Sequence, residues 1–463
     1  MHTEYTTGAQ NLQGPITLHD VSLTGRVRPW RQHRLEAELL AEAYQAAACR
    51  VSGPEAAAWA ARADKVQTCG THPVFERHTA TEGQYMSLKS ANFCRDRLCP
   101  LCQWRRSLKL GSQCRAVVAE ADRRKIARDR VSWRWVMLTL TQRNVDGPDL
   151  AAELDKMHTA LKVMTKSPRW RAAAQGWLRV TEITRNSDRR SSWYGSYHPH
   201  MHILIAVHRR YFKSRDYIPA AEWGAMWRTY MHLDYTPDVD VRVVTAKGQT
   251  IEDAADPTQS MGAAVAEVTK YAAKPGSYLI ASDLDGTVEA VTTLAQALHG
   301  RRLCAWGGVC KEAAQALRLD SLETGDLVHI DEDSTGDPAA DAVGHYVAYH
   351  WALGIRNYVQ GREWVSAPSW AEAAQASKDR PKLAALQRAK EVADMTSNLT
   401  LIRRLQCAAG ERLANRVIRS HDAYNIQLLK EVAEARDGQR AQAQVPEPTG
   451  QDGAPCGQET AGD

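Results

Sequence analysis

Three histidines at alternate positions, His198, His200 and His202, lead into the apolar run Ile203-Leu-Ile-Ala-Val207. Alternate side chains of a strand share a face, so His200 and His202 project together while Met201, Ile203 and Ile205 project into a core. Two imidazoles so placed can grip one cation; the competing reading is a hydrogen-bonded pair at a sheet edge. An unpaired buried polar group costs ~1–3 kcal/mol, so a row of them in one strand needs partners on the same side, and a cation satisfies both rings at once. Glu182 shares a strand face with Leu178 and Val180, an unusual place for a carboxylate that binds nothing. If its strand pairs with the histidine strand through the Arg185–Tyr197 loop, it becomes the third ligand. Two imidazoles, a carboxylate and open positions suit Mg²⁺ or Mn²⁺ acting on a phosphate, and also Zn²⁺ or non-haem iron. Iron is disfavoured, because its usual pattern begins His-x-Asp/Glu.

A second group lies in the helical stretch from Ser260 to Lys274, where Glu267 and Tyr271 stand at i, i+4 with Lys274 further round. Alone this is an amphipathic helix with a surface tyrosine. A phenol has pKa ~10 and is a poor nucleophile at neutral pH. It becomes useful where a cation neutralises a phosphate, Glu267 takes the phenol proton or activates a water, and Lys270 or Lys274 holds phosphate charge. Its product with DNA is a phosphotyrosyl ester, which can be handed on to another 3′-hydroxyl.

The third group is Cys94-x4-Cys99-Pro-x-Cys102, with Cys69 or His72 as a fourth ligand, the pattern of a structural, tetrahedral Zn²⁺. Such a knuckle is expected to present the following helix to a phosphate backbone. Between Cys94 and Trp135 there are twelve Arg/Lys against four Asp/Glu, an excess that suits a polyanion better than the whole-chain charge of +5 does. Arg95, Arg97, Arg105, Arg106 and the Arg123-Arg124-Lys125 run are the expected backbone contacts, giving a steep salt dependence. Cys49, Cys114, Cys304, Cys310 and Cys407 read as ordinary buried thiols. The Trp193-Tyr194…Tyr197 loop either stacks unpaired bases or packs at the sheet edge.

The elements that position these groups follow from pattern. Strands are expected over Trp135–Thr141, Gly176–Thr184, the histidine run and Asp238–Val244. Helices are expected in Trp30–Asp64 with a break at Ser52-Gly53-Pro54, and over Gln103–Arg130, Leu150–Lys166 and Met261–Lys274, the last stopped by Pro275-Gly276. The fold class is therefore α+β: a central antiparallel sheet flanked by helices, a zinc-binding N-terminal module and a helical C-terminal region. The 463 residues divide into a variable segment to 65, a zinc module over 66–130, a sheet domain over 131–320, helices over 345–437, and a Gln-, Pro- and Gly-rich disordered tail. No run is long and apolar enough for a membrane span and no secretory leader opens the chain, so a cytoplasmic protein with reduced cysteines is expected.

The ordered blocks CRDRLCPLCQWRR, VMLTLT, HPHMHILIAV, EVTKYAAK and GRRLCAWGGVCKEA together resemble the replication initiators of rolling-circle plasmids, within the HUH endonucleases (His-hydrophobe-His), over roughly residues 69–315. The resemblance implies a domain that nicks one strand of the plasmid origin, single-stranded at the nick and duplex for recognition, and leaves a 3′-OH for polymerase; for the helical C-terminal third, binding of origin duplex, binding of a host helicase and completion of the core stay open. It implies His200 and His202 as ligands of the divalent cation and Tyr271 as the nucleophile that takes the 5′-phosphate. Glu267 stands where the plasmid branch carries the glutamate of terminating hydrolysis. Two-tyrosine relatives use a second Tyr on the same helix; Tyr278 lies beyond Pro275-Gly276, which interrupt it. His198 matches no required ligand and either binds phosphate or caps the strand. Alternatives are a single-strand transposase or relaxase of the same superfamily, a non-catalytic zinc-dependent regulator that binds nucleic acid, and a metal phosphoesterase without a covalent step.

Overall fold

The N-terminal Ala-rich segment folds as α1 (Trp30–Ala48) and α2 (Gly53–Gln67), broken where Ser52 turns extended ahead of Gly53-Pro54. A computed structural model describes residues 15–22, 25–80, 83–244, 264–269, 273–330 and 345–365, all within the first of two compact units, Met1–Gln375. After α2 come β1 (Val74–Ala80), β2 (Gly83–Ser90) and the long α3 (Pro100–Asp129). The chain continues through β3 (Arg134–Thr141), α4 (Leu150–Met164), α5 (Pro168–Ala173), β4 (Gly176–Arg185) and β5 (Tyr197–Val207). Next are α6 (Ala220–Tyr230), β6 (Val239–Val243), α7 (residues 264–268), α8 (Pro275–Tyr278), α9 (Leu284–Leu298), β7 (Cys304–Gly307) and α10 (Gly308–Ala316). β8 (His345–Ala352) and β9 (Asn357–Val365) close the described chain.

The protein is a mixed α+β structure with two antiparallel sheets rather than one central sheet. The larger has strand order β6-β3-β5-β4-β7. Its middle strand, β5, is the histidine run, and alternation gives it two different faces. Met201, Ile203, Ile205 and Val207, with Val136, Leu138 and Leu140, form a core against Met157, Leu161, Trp170, Trp223 and Trp227 of α4, α5 and α6. Leu204 and Ala206, with Trp135, Met137, Leu178 and Val180, form another against α3, α7 and α10. Each fully buried aliphatic contributes about 1.5–3 kcal/mol, so covering both faces fixes the register of β5 and hence the direction of its histidines. β7 leads into α10 through Gly308, whose φ of +52° and close approach to the Gln175 carbonyl, 2.1 Å from a built Cβ, exclude any side chain.

The smaller sheet has order β2-β1-β8-β9 and buries Phe75, Leu88, Val347, Tyr349 and Tyr358 beside α1. Trp30 sits at its centre, 5.5 Å from Phe75 and 5.0 Å from Trp104 of α3, both edge-to-face. β8 and β9 correct the expectation of helix beyond residue 345. His345-Tyr-Val-Ala-Tyr-His-Trp-Ala352 alternates buried Val347, Tyr349 and Trp351 with more exposed partners, which is a strand period. The expected helices Ala371–Leu386 and Leu401–Arg436 and the tail lie outside the described residues.

A second correction concerns the helix expected over Met261–Lys274. Helix is present over 264–268, but Ala273 forms a parallel bridge with Ile183 of β4, and Lys274 is extended with ψ 121°. Pro275 disfavours the α region for the residue before it, so the sequence carried the cause of this early stop.

Candidate metal centre and active site

Strand register builds the site. β5 pairs with β4 so that His200 stands directly opposite Glu182, and with β3 so that His202 stands opposite Thr139. Nε2 of His200 and Nε2 of His202 lie 3.0 and 2.9 Å from the same atom, Oε2 of Glu182. Glu182 is 1 % exposed and His202 4 %, so the cluster is closed on the protein side. Nδ1 of His200 faces the His198 carbonyl at 3.2 Å, and Nδ1 of His202 faces the Thr139 hydroxyl at 3.2 Å. Burial alone would raise the Glu182 carboxyl; hydrogen bonds from His200 and His202, and the charges of His200 and Lys274, override it and hold the group well below the usual carboxylate range.

These residues fit a cation. His200 offers both ring nitrogens to oxygen acceptors, a carbonyl and a carboxylate. Without a cation, Nε2–H donates to Oε2; with a cation bound, a neutral ring that donates Nδ1–H to the carbonyl would turn its Nε2 lone pair, together with Oε2, toward the same positive centre. Glu182 Oε1 is buried and accepts no hydrogen bond, although Lys274 Nζ stands 3.4 Å away. One carboxylate and two imidazoles from adjacent strands leave positions open for substrate and water.

Two residues beside Tyr271 reach this cluster. Glu267 on α7 places Oε1 3.8 Å from His202 Nδ1, and Lys274 contacts Glu182 from the extended segment. Tyr271 and Lys270 lie outside the described residues. Tyr278 is fully buried, its hydroxyl donating to the Leu98 carbonyl at 2.7 Å and accepting from Gln103 at 3.0 Å. Burial pushes its phenol well above the ordinary value, and Tyr278 packs as a core residue. His198 is half-buried, its ring centroid 5.6 Å from that of His200 on the same face.

The cysteines converge as well. Sγ of Cys69 lies 3.6 Å from those of Cys102 and Cys99, and Cys94 Sγ lies 3.7 Å from Cys102 Sγ. Four thiolates around a tetrahedral zinc at about 2.3 Å stand roughly 3.8 Å apart, so the spacing fits. Backbone N–H groups of Cys94 and Arg95 point at Cys69 and Cys102 sulfurs at 3.3 and 3.2 Å. Cys69, and not His72, completes the set; His72 is exposed, with Nδ1 on the Thr71 hydroxyl. Cys114 and Cys310 are buried thiols, as expected, but Cys49 departs from that reading: it sits exposed on the turn that ends α1.

The basic block departs from expectation most. Arg105 is 1 % exposed and donates to the carbonyls of Leu327 and Val328, which corrects its assignment to DNA: a guanidinium sealed among carbonyls cannot reach a phosphate. Arg95 donates to the backbone carbonyls of Thr324 and Gly325, Arg97 to that of Arg301, and Arg106 to those of Asp96 and Arg95. Arg123 and Arg124 pair with Glu120, and Lys125 with Asp129. Much of the excess charge therefore holds the 320–330 loop and the helix's own acids. Arg105→Leu is expected to lower stability by about 2–3 kcal/mol while leaving the salt slope of DNA binding unchanged. Urea melts and a salt titration check this; a shallower slope at unchanged stability would return Arg105 to the DNA interface.

Sequence reading missed Thr139, which orients His202, and Gln103 and Ser107 of α3, which hydrogen-bond to Ala273 N and the Thr269 carbonyl. Thr139 was findable, since it lies in the strand-forming run VMLTLT; the α3 pair depends on a tertiary contact that no local pattern signals. Among the described residues no helix is long and apolar enough to cross a membrane.

Comparison with known proteins gives a consistent picture. A family model described as replication protein matches residues 85–359. A "Protein rep" of Bacillus amyloliquefaciens is 35% identical over 347 residues, 74% of this chain and 96% of that protein. A "Protein rep" of Lactiplantibacillus plantarum is 33% identical over 73% of this chain and 97% of its own length. A "Replication protein" of Staphylococcus aureus is 32% identical over 253 residues, 54% of this chain and 98% of that protein. No solved structure matches.

Proposed function

Since the chain belongs to the replication-protein family, we propose that it initiates rolling-circle replication of a plasmid by nicking one origin strand with Tyr271. The observation that carries this reading is the approach of Glu267 and Lys274, on either side of Tyr271 in sequence, to the Glu182–His200–His202 cluster. Glu182, His200 and His202 would hold a divalent cation, Mg²⁺ or Mn²⁺, which would supply Lewis-acid charge to the phosphate. The Tyr271 oxygen attacks the scissile phosphorus as its proton passes to Glu267 or to water. The P–O3′ bond breaks, the departing oxygen takes a proton to become a free 3′-OH for polymerase, and the 5′-phosphate remains as a tyrosyl ester. Lys274 holds phosphate charge beside the cluster, and Glu267 later activates the water that hydrolyses the ester, or a new 3′-OH takes the strand. Because one diester replaces another, rejoining needs no external energy source.

Oligonucleotides tiling both strands of the replicon that encodes the chain, incubated with full-length protein and Mn²⁺, are expected to yield one covalent adduct. Mass spectrometry of the adduct reads nucleophile and cut site together; no adduct from any tile with intact protein would remove the proposal. The regulator reading predicts binding without cleavage of any tile, and it leaves the approach of Glu267 to His202 without a task.

For the cysteine cluster we propose one structural Zn²⁺ per chain. Structural zinc is worth about 10–16 kcal/mol in small zinc peptides, so Cys99→Ser is expected to lose both the metal and the fold of the smaller sheet. Elemental analysis and circular dichroism check this; wild-type protein free of zinc after reducing purification would refute it.

The β4–β5 hairpin offers a single-strand contact: Trp193 is 56% exposed, whereas Tyr197 is buried in the core. Trp193→Ala is expected to weaken single-strand binding by about 1–3 kcal/mol with duplex binding unchanged. Equal affinity of wild type and variant for a single strand would assign the indole no such role.

A further inference from the structure

α3 ties the cysteine cluster to the reacting end of the sheet. Its N-cap is Cys99 and its first turn carries Cys102, so the helix starts inside the cluster. The next residue, Gln103, is 4% exposed and uses both ends of its amide. Oε1 accepts from the Ala273 N–H at 3.4 Å, while Nε2 donates to the Leu98 carbonyl at 3.1 Å and to the Tyr278 hydroxyl at 3.0 Å. One turn on, Ser107 donates its hydroxyl to the Thr269 carbonyl. Gln103 and Ser107 stand at i, i+4, on one face of one helix.

The two chain points they hold are those that matter for the site. Thr269 ends the turn that carries Glu267, whose carboxylate lies 3.8 Å from His202. Ala273 precedes Lys274, which contacts Glu182, and it bridges Ile183, the neighbour of Glu182 on β4. We infer that Gln103 and Ser107 are positioning residues for the nicking reaction: through them α3, anchored at the cysteine cluster, sets Glu267 and Lys274 against the His200–His202–Glu182 site. This rests on the nicking function proposed above. It gives the cysteine cluster a task in the geometry of the reaction, in place of the DNA-presenting task expected from its sequence.

The bland alternative is that these bonds only stabilise the fold, and kinetics separates the two. A misplacement of about 1 Å at a reacting group costs about 10²-fold in rate. With full-length protein, Mn²⁺ and the tile that reacts, Ser107→Ala and Gln103→Leu are expected to slow adduct formation at saturating DNA by about 10–100-fold. The oligonucleotide dissociation constant and zinc content should stay at wild-type values in both, and so should the melting midpoint of Ser107→Ala, whereas Gln103→Leu unpairs buried partners and is expected to melt earlier. Ser107→Thr, which keeps the hydroxyl, should recover most of the rate. Wild-type rates in both Ala and Leu variants would overturn the inference, as would a rate loss that merely tracks weaker DNA binding. If Gln103→Leu does not fold, half-exposed Ser107 decides the matter alone. A wild-type protein that forms no adduct sinks the nicking function itself, a result distinct from any of these.

Discussion

Tyr271→Phe is expected to leave a folded protein that binds origin single strands and divalent cation as before, yet forms no covalent adduct. Removal of a covalent nucleophile should lower nicking by on the order of 10⁴-fold or more, since the positioned groups that remain have nothing to deliver. The contrast with Glu267→Gln is informative. Loss of the carboxylate next to His202 should allow the ester to form and persist, because its resolution by water needs a base. A gel assay that follows cleaved strand and protein-linked strand separately distinguishes them. Normal cleavage by Tyr271→Phe would point to a phosphoesterase that works through water alone.

Glu182→Gln is the second change with a large expected effect. The substitution keeps volume and removes the charge on which both imidazoles converge. Partners outside the ligand shell cost about 10–100-fold in metal affinity when lost, and a ligand itself should cost more, so Mn²⁺ titration should show affinity reduced beyond 100-fold and nicking lost. A pH signature accompanies it in chelator-treated protein. The folded carboxyl is held below its ordinary value, so its contribution to stability is complete above about pH 4.3 and disappears as pH falls through the depressed folded value. The stability difference between wild type and variant should therefore shrink below about pH 4, as read by urea midpoints across the acid range. A difference constant with pH would mean that the carboxylate is not held ionised by its neighbours.

The Glu182–His200–His202 cluster was legible because a strand has a fixed period. Placing His200 and His202 on one face follows from alternation, and Glu182 opposite His200 needed only the assumption that β4 and β5 form a hairpin. Cys94, Cys99 and Cys102 were equally readable, because their close spacing along the chain nearly determines their geometry, whereas the choice of Cys69 over His72 needed the fold. Charge was misread for a definite reason: composition counts arginines but cannot see carbonyls, and Arg105 is committed to the backbone of residues 327–328, more than two hundred positions away. The helix through Lys274 was misread because amphipathic spacing was allowed to outweigh Pro275, whose steric demand reaches back one residue. β8 and β9 were missed because an Ala-rich region further on coloured the reading of a short aromatic alternation.

The smaller sheet has a consequence for biosynthesis. β1 hydrogen-bonds to β8, with Val74 paired to Ala348, so the larger sheet is threaded as an insertion between two neighbours of the smaller one. At about 5–20 residues per second a ribosome needs roughly 13–50 s to travel from β2 to β8. Throughout that interval the β1–β2 hairpin offers a bare edge, an invitation to mispairing with another nascent chain. Truncation before residue 345 would make that transient exposure permanent, so a shortened version ending after α10 should precipitate even though every residue of the larger sheet is retained.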